Sequence, residues 1–479
     1  MRTINKAIYN IIGIAFIILI ILGCRPTRSV SPIPTTPSPL STTVAPTLPT
    51  VTHTHVPMAT LLPTVSTTPL LPETPPPEPT VSSDTLFPLE KSTQEFDPRG
   101  TYQIGLGDLD GDGDLDGVFA NPLKHNSEVW LNDGNGTFVD TGQKLTQYGH
   151  GVGVADFDED GDLDAFIACH QFITPSKIYL NDGSGNFQDT GQDLGDRGMS
   201  GSGLNLLDLN GDGHIDVHIM YYDPNGLPDR VYLNDGTANF TDSGLALDED
   251  TIAWGDLDGD GEVDYFGKLW GKGYVVQFND GSGNFSEGWE FGDKQATEGG
   301  IALADFDGDG DLDALVANGF RETGSFPTSL FWNDGSGQFT ESDQRLNGTM
   351  GAEVGVGDLD GDGDLDVFIA NMDLPNEVWL NNRDGYFADS GLRLGDIPPQ
   401  GYSTVPSLGD LDGDGDLDIF VGSLKGKPEI WFNHSPEVST SIKLPTVSFE
   451  ASTQSFDPAF TFQIGLGDLD RDGDLDAVF

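Results

Sequence analysis

The chain has 479 residues, with 78 acidic against 22 basic side chains and a formal charge of −56. A surface of that sign repels phosphate backbones, which argues against a nucleic acid partner. Its cysteines are Cys24 and Cys169 alone, so no disulfide framework is available to staple the fold.

At the N-terminus Arg2 and Lys6 precede an apolar run over residues 11–22, short for a membrane span. The run ends in Ile21, Leu22, Gly23 and Cys24, which resembles a bacterial lipobox. That resemblance implies cleavage before Cys24 and lipidation of its thiol; an uncleaved signal anchor is the alternative. Both readings put the rest of the chain outside the cytoplasm, in the cell envelope. Residues 25–85 are dominated by Pro, Thr, Ser and Val. Such a segment buries no core and is read as a disordered, extended stalk.

Beyond the stalk one motif organises everything. Residues 108–116 read DLDGDGDLD, with Asp108, Asp110, Asp112, Asp114 and Asp116 at positions 1, 3, 5, 7 and 9. The same positions hold Asp156, Asp158, Asp160, Asp162 and Asp164, then Asp208, Asn210, Asp212, His214 and Asp216. They hold Asp256, Asp258, Asp260, Glu262 and Asp264, then Asp305, Asp307, Asp309, Asp311 and Asp313. They hold Asp358, Asp360, Asp362, Asp364 and Asp366, then Asp410, Asp412, Asp414, Asp416 and Asp418. The eighth copy supplies Asp468, Asp470, Asp472, Asp474 and Asp476. Successive copies lie between 48 and 58 residues apart, a period that marks a repeat architecture.

Carboxylates at 1, 3 and 5, a backbone carbonyl at 7 and an acid at 9 are hard oxygen donors suited to calcium, about one ion per loop. The first half resembles an EF-hand loop, but the closing acid comes at position 9 and no helical pattern flanks it. Gly113 at position 6 answers the need for positive φ at the bend. Zinc lacks its usual His and Cys ligands here, and magnesium demands a stricter octahedron. The competing reading is a set of solvated acidic turns. Asn210 keeps an oxygen at position 3 of the third loop, and His214 is expected to point to solvent.

Each repeat has the same four apolar runs. A Gly-rich run enters the loop and a second leaves it, as at residues 118–120 and 165–169. A third precedes an Asn-Asp-Gly turn, as in EVWLNDG from Glu128, KIYLNDG from Lys177 and RVYLNDG from Arg230. The fourth opens with Phe138, Phe187, Phe240, Phe285, Phe339 or Phe387. These runs are of strand length, rich in β-branched and aromatic residues, and joined by hairpin-turn chemistry. Four short antiparallel strands per repeat form the blade of a β-propeller, so the fold class is all-β. Trp130, Trp332, Trp379 and Trp431 are then expected in the packing between blades.

The DLDGDGDLD loop, the Gly-rich strand before it and the LNDGxGxF hairpin resemble the FG-GAP or VCBS repeat family, which includes the propeller heads of integrin α chains. The resemblance spans residues 86–479 and all eight loops. It implies a calcium-binding propeller used in adhesion or ligand binding.

The seventh repeat lacks its fourth strand, because HSPEVST follows Asn433. Residues 86–90 are the spare strand expected to complete it, closing seven blades over residues 86–444. Residues 449–479 match 89–119 at 23 of 31 positions with a constant offset of 360. They read as the truncated start of a second propeller over 445–479, in a chain that is a fragment; a single ring of eight blades is the alternative.

No catalytic motif stands out, and the favoured function is a surface-anchored binding or adhesion module for a polysaccharide or a surface protein. A polysaccharide lyase or hydrolase, and a structural spacer, are the alternatives. The metal loops should line one face. Tyr221, Tyr222, Trp270, Phe320, Arg321 and Phe326 fall in or beside the irregular loops of the other face and are the candidate ligand contacts.

Overall fold

The computed structural model describes residues 88–434, apart from short loop segments such as 196–200, 222–227, 293–298 and 396–402, together with residues 465–467 and 476–478. The signal segment, the stalk and Cys24 lie outside the described residues, as does most of the expected second propeller. Among the described residues the structure is all-β.

Seven four-stranded antiparallel sheets form the seven blades of a propeller. The first blade runs Gln103–Gly107, Asp116–Ala120, Asn126–Leu131 and Val139–Gln147, each strand paired with the next. The alternation that made these runs legible sets their burial. Val118, Phe119 and Ala120 are buried on both sides, whereas most of the outermost strand is exposed or half-exposed. The innermost strand of blade one lies beside those of blades two and seven, and that of blade two beside that of blade three. Glycine permits this approach. A Cβ on Gly151 would stand 3.0 to 3.2 Å from Leu204 and from the Gly203 backbone of the next blade.

The core is divided into seven clusters of buried side chains, each spanning two adjacent blades. Phe157, Phe166 and Ile178 meet Val217, Ile219 and Phe240 between blades two and three. The four tryptophans noted above are half-buried; Trp130, for example, packs on the cluster between blades seven and one. Cys169 is buried and unpaired within the cluster between blades one and two.

Blade seven is made from both ends of the ring. Ser403–Gly409, Asp418–Ser423 and Glu429–Asn433 are joined by Leu89–Lys91 as the outermost strand. Its register pairs Leu89 with Asn433 and Lys91 with Trp431. The closing strand thus sits slightly later than the run at 86–90 that the sequence suggested. Residues Gly465–Gly467 and Asp476–Val478 form a separate two-stranded hairpin.

Candidate metal centre

Each acidic loop connects the first and second strands of a blade, and the residues at positions 1, 3, 5, 7 and 9 have distinct environments. In the first loop Asp108 closes the turn on itself. Its Oδ1 accepts from the amides of Gly111 (2.8 Å) and Asp112 (3.1 Å), and its Oδ2 from that of Gly113 (3.1 Å). The same three donors recur around Asp208, Asp256, Asp305, Asp358 and Asp410. Gly113 has φ 97°, as position 6 requires, and its counterparts in the other six loops lie between 89° and 98°. Position 4 is Gly in every described loop except the second, where Glu159 takes φ 60° and leaves Asp156 with two donors.

The closing acid is the most buried. Asp116 is fully enclosed; its Oδ2 accepts from Leu109 N at 2.9 Å and its Oδ1 from Asn132 N at 2.7 Å. It therefore ties the loop to the end of the third strand. Burial pushes its carboxyl up to about 6, against the pull of those two amides. Asp164, Asp216, Asp264, Asp313 and Asp418 are held the same way and pushed to about 7, and burial likewise holds Asp366 well above the usual carboxylate range.

Position 3 has unmet needs. Asp110, Asp158, Asp258, Asp360 and Asp412 each keep a buried Oδ1 with no hydrogen-bond partner. A buried carboxylate oxygen without a donor is costly, and native proteins rarely leave one so. Burial, followed by the neighbouring position-5 carboxylate, raises these five groups, Asp360 to about 7. Carboxylate oxygens of Asp108, Asp110 and Asp116 lie within 4.8 Å of one another, and the corresponding acids of the second and fifth loops do likewise. In the fourth loop Asp256, Asp258 and Asp260 make the group. An orphaned oxygen amid like charges is the donor set that a hard cation satisfies, so these residues fit calcium.

The side chain at position 7 faces the turn between strands three and four. A Cβ on Gly134 would collide with the Asp114 carboxylate, and Gly183 stands likewise against Asp162. Loops and turns therefore share one face, as the strand order implied. His214 does not point freely to solvent. Its side chain is 29% exposed, and its Nδ1 hydrogen-bonds Glu159 of the preceding blade's loop. The partner comes from a blade the local motif does not include. Burial lowers the basicity of this imidazole, but the bond to Glu159 and the charge of Asp212 outweigh it, so its pKa is raised.

Of the eighth loop, Asp468, Asp470, Asp472 and Asp474 lie outside the described residues, and for Asp476 only the strand Asp476–Val478 is described. Of the candidate ligand contacts, Tyr222, Trp270 and Phe326 lie outside the described residues too. Phe320 and Arg321 form a short strand paired with Gly324–Ser325, and their side chains are not among the described ones. Tyr221 is half-buried and packs on the core between blades two and three.

Two sets of residues carry a role that local reasoning missed. The asparagine ending each third strand reads as turn chemistry, but its side chain bridges blades. Asn132 Nδ2 donates to Leu411 O of blade seven at 2.9 Å, and Asn181 Nδ2 to Leu109 O of blade one at 2.8 Å. Asn234, Asn279, Asn333, Asn381 and Asn433 repeat the bond, always to the position-2 carbonyl of the preceding blade's loop. Glutamines form a second bridge. Gln143 accepts from Phe187 N and donates to Gly185 O of the next blade, and Gln94 clasps both backbone groups of Phe138. The asparagine recurs at one place in all seven blades and the glutamine in four of them, and that recurrence was the available signal.

This is a seven-bladed β-propeller whose blades each present an acidic loop on one face. The FG-GAP-like repeat matches residues 108–167, 156–219, 208–267, 324–369, 358–421 and 410–479, and the chain belongs to that family. A propeller of this family is in general terms a binding module. No curated protein matches the chain in sequence. Among solved structures it is similar to the BP39L lectin from Burkholderia pseudomallei, at 12% identity and TM-score 0.52, over 70% of this chain and 96% of that one. It is also similar to BBS1N in a complex with ARL6DN, at 12% identity and TM-score 0.50, over 74% of this chain and 98% of that one. At that identity the likeness is one of fold.

Proposed function

We propose that the chain is a calcium-stabilised binding propeller held at the cell envelope. The supporting observation is the buried, partnerless oxygen at position 3, found in five of the loops and set among further carboxylates. The acids at positions 1, 3, 5 and 9 and the carbonyl at position 7 would hold the ion. Bound calcium neutralises the loop acids and supplies the missing partner. Extracellular calcium modules work at about 10⁻⁴ to 10⁻³ M, which suits a chain anchored through Cys24 and exposed outside the cytoplasm. A polysaccharide or a surface protein would bind on the face opposite the loops, and the module acts by binding rather than catalysis.

A thermal melt of the full chain tests this. Calcium should raise the transition well above that in EDTA, and magnesium should not replace it. Coincident melts with calcium and with EDTA would remove the reading and leave the loops as solvated turns.

A further inference from the structure

The residue after the bridging asparagine is Asp133, Asp182, Asp235, Asp280 or Asp334 in blades one to five and Asn382 in blade six. These side chains cap their own turn. Asp133 Oδ1, for example, accepts from Asn135 N and Thr137 N. Blade seven breaks the pattern with His434 and has no Asp-Gly turn after it.

His434 is turned toward the loop instead. Its Nδ1 lies 3.1 Å from Asp414 Oδ2 and 3.8 Å from Asp412 Oδ2, and ligand atoms of all three residues fall within 4.8 Å of one another. Its ring stacks on Phe432, with centroids 6.3 Å apart and planes at 26°. Asp412 and Asp414 are positions 3 and 5 of the loop, and the other oxygen of Asp412, Oδ1, is buried without a partner. At 3.1 Å the imidazole hydrogen-bonds Asp414, and that separation is also the roughly 3.0 to 3.4 Å at which two ligands of one ion stand when each bond is about 2.1 Å.

We propose that the seventh loop is a mixed imidazole–carboxylate site that takes a zinc-type transition ion in preference to calcium. This rests on the reading of the loops as metal sites. Calcium takes oxygen ligands, whereas imidazole nitrogen favours zinc, nickel and copper. His214 makes a natural control, because its Nδ1 is engaged by Glu159 of another loop rather than by two acids of its own.

The test is a calorimetric titration of the full chain, first with calcium and then with zinc in the continued presence of calcium. It is made in a background carrying His53→Ala and His55→Ala, since that pair could bind zinc by itself. The expected result is one zinc equivalent that persists under millimolar calcium. It should weaken by more than about tenfold in His434→Ala and remain in His214→Ala. His434→Asp, which restores the residue type of blades one to five, should lose zinc and keep calcium. Calcium binding without a zinc equivalent, or zinc binding unchanged in His434→Ala, would overturn this proposal alone. Zinc at His434 with no calcium uptake would instead count against the calcium reading of the other loops.

Discussion

Blade two is one uninterrupted stretch of chain, whereas blade seven is assembled from residues 403–433 and a strand from the other end of the ring. The two use the same devices. In blade two Gln192 clasps the amide and carbonyl that begin the next blade's outer strand, at Phe240 and Ala238. In blade seven Gln94, just past the closing strand, accepts from the matching amide of Phe138 but donates to the carbonyl of Phe138 itself. Asn181 and Asn433 both reach back to the preceding loop. The difference lies two residues beyond the glutamine. Leu194 stands there in blade two and joins the core shared with blade three. Phe96 stands there at the closure, with ring centroids 5.3 Å from Phe420, 5.3 Å from Trp130 and 5.6 Å from Phe119. Where chain continuity is absent, a larger aromatic contact takes its place, and buried aromatic pairs add to area burial.

The largest expected effect breaks that contact. Phe96→Ala should cost about 3–5 kcal/mol in denaturant unfolding, and Leu194→Ala about 2–5 kcal/mol, with the closure the more sensitive. A negligible loss at Phe96 beside a large one at Leu194 would show that the closing strand is not seated as described. Next come the asparagine bridges. Asn132 joins blades one and seven and Asn181 joins two and one, and replacing either by Ala should lose about 1–3 kcal/mol by orphaning a buried carbonyl. Unequal losses would mean that the seam is held differently from the other junctions. Gln94→Ala and Gln143→Ala should each cost about 1 kcal/mol, read from the shift in unfolding midpoint. The smallest effect belongs to Lys91, whose Nζ lies 2.6 Å from Glu429 Oε1 with the two side chains 37% and 26% exposed. Lys91→Ala should change stability by no more than about 1 kcal/mol, and salt should erase most of the difference.

Much of the fold was legible because the repeat supplies several statements of the same pattern. The missing fourth strand of blade seven was visible as a deficit after Asn433, and the spare run near residue 90 as its complement. The strand lies at Leu89–Lys91 because Lys91 must face Trp431 and Glu429, and Ser92 N must reach Ile430 O. Such partners, more than 330 residues away, are invisible to local periodicity. The acids of the metal site were legible by spacing alone, but their division of labour was not. Asp108 and Asp116 look alike in sequence, yet one folds its own turn and the other is buried under the neighbouring strand. The bridging asparagines escaped notice because an Asn before Asp-Gly is already accounted for by the turn. The bond from His214 to Glu159 was hidden for a related reason: Glu159 belongs to another blade.

A calcium-stabilised propeller requires the loops to be cation sites. Equilibrium dialysis of the full chain against calcium counts them directly. Several equivalents bound together, falling by about one when Asp110 and Asp112 are replaced by Asn, is the predicted result. Binding of a single equivalent or none, with the propeller still folded, would contradict it.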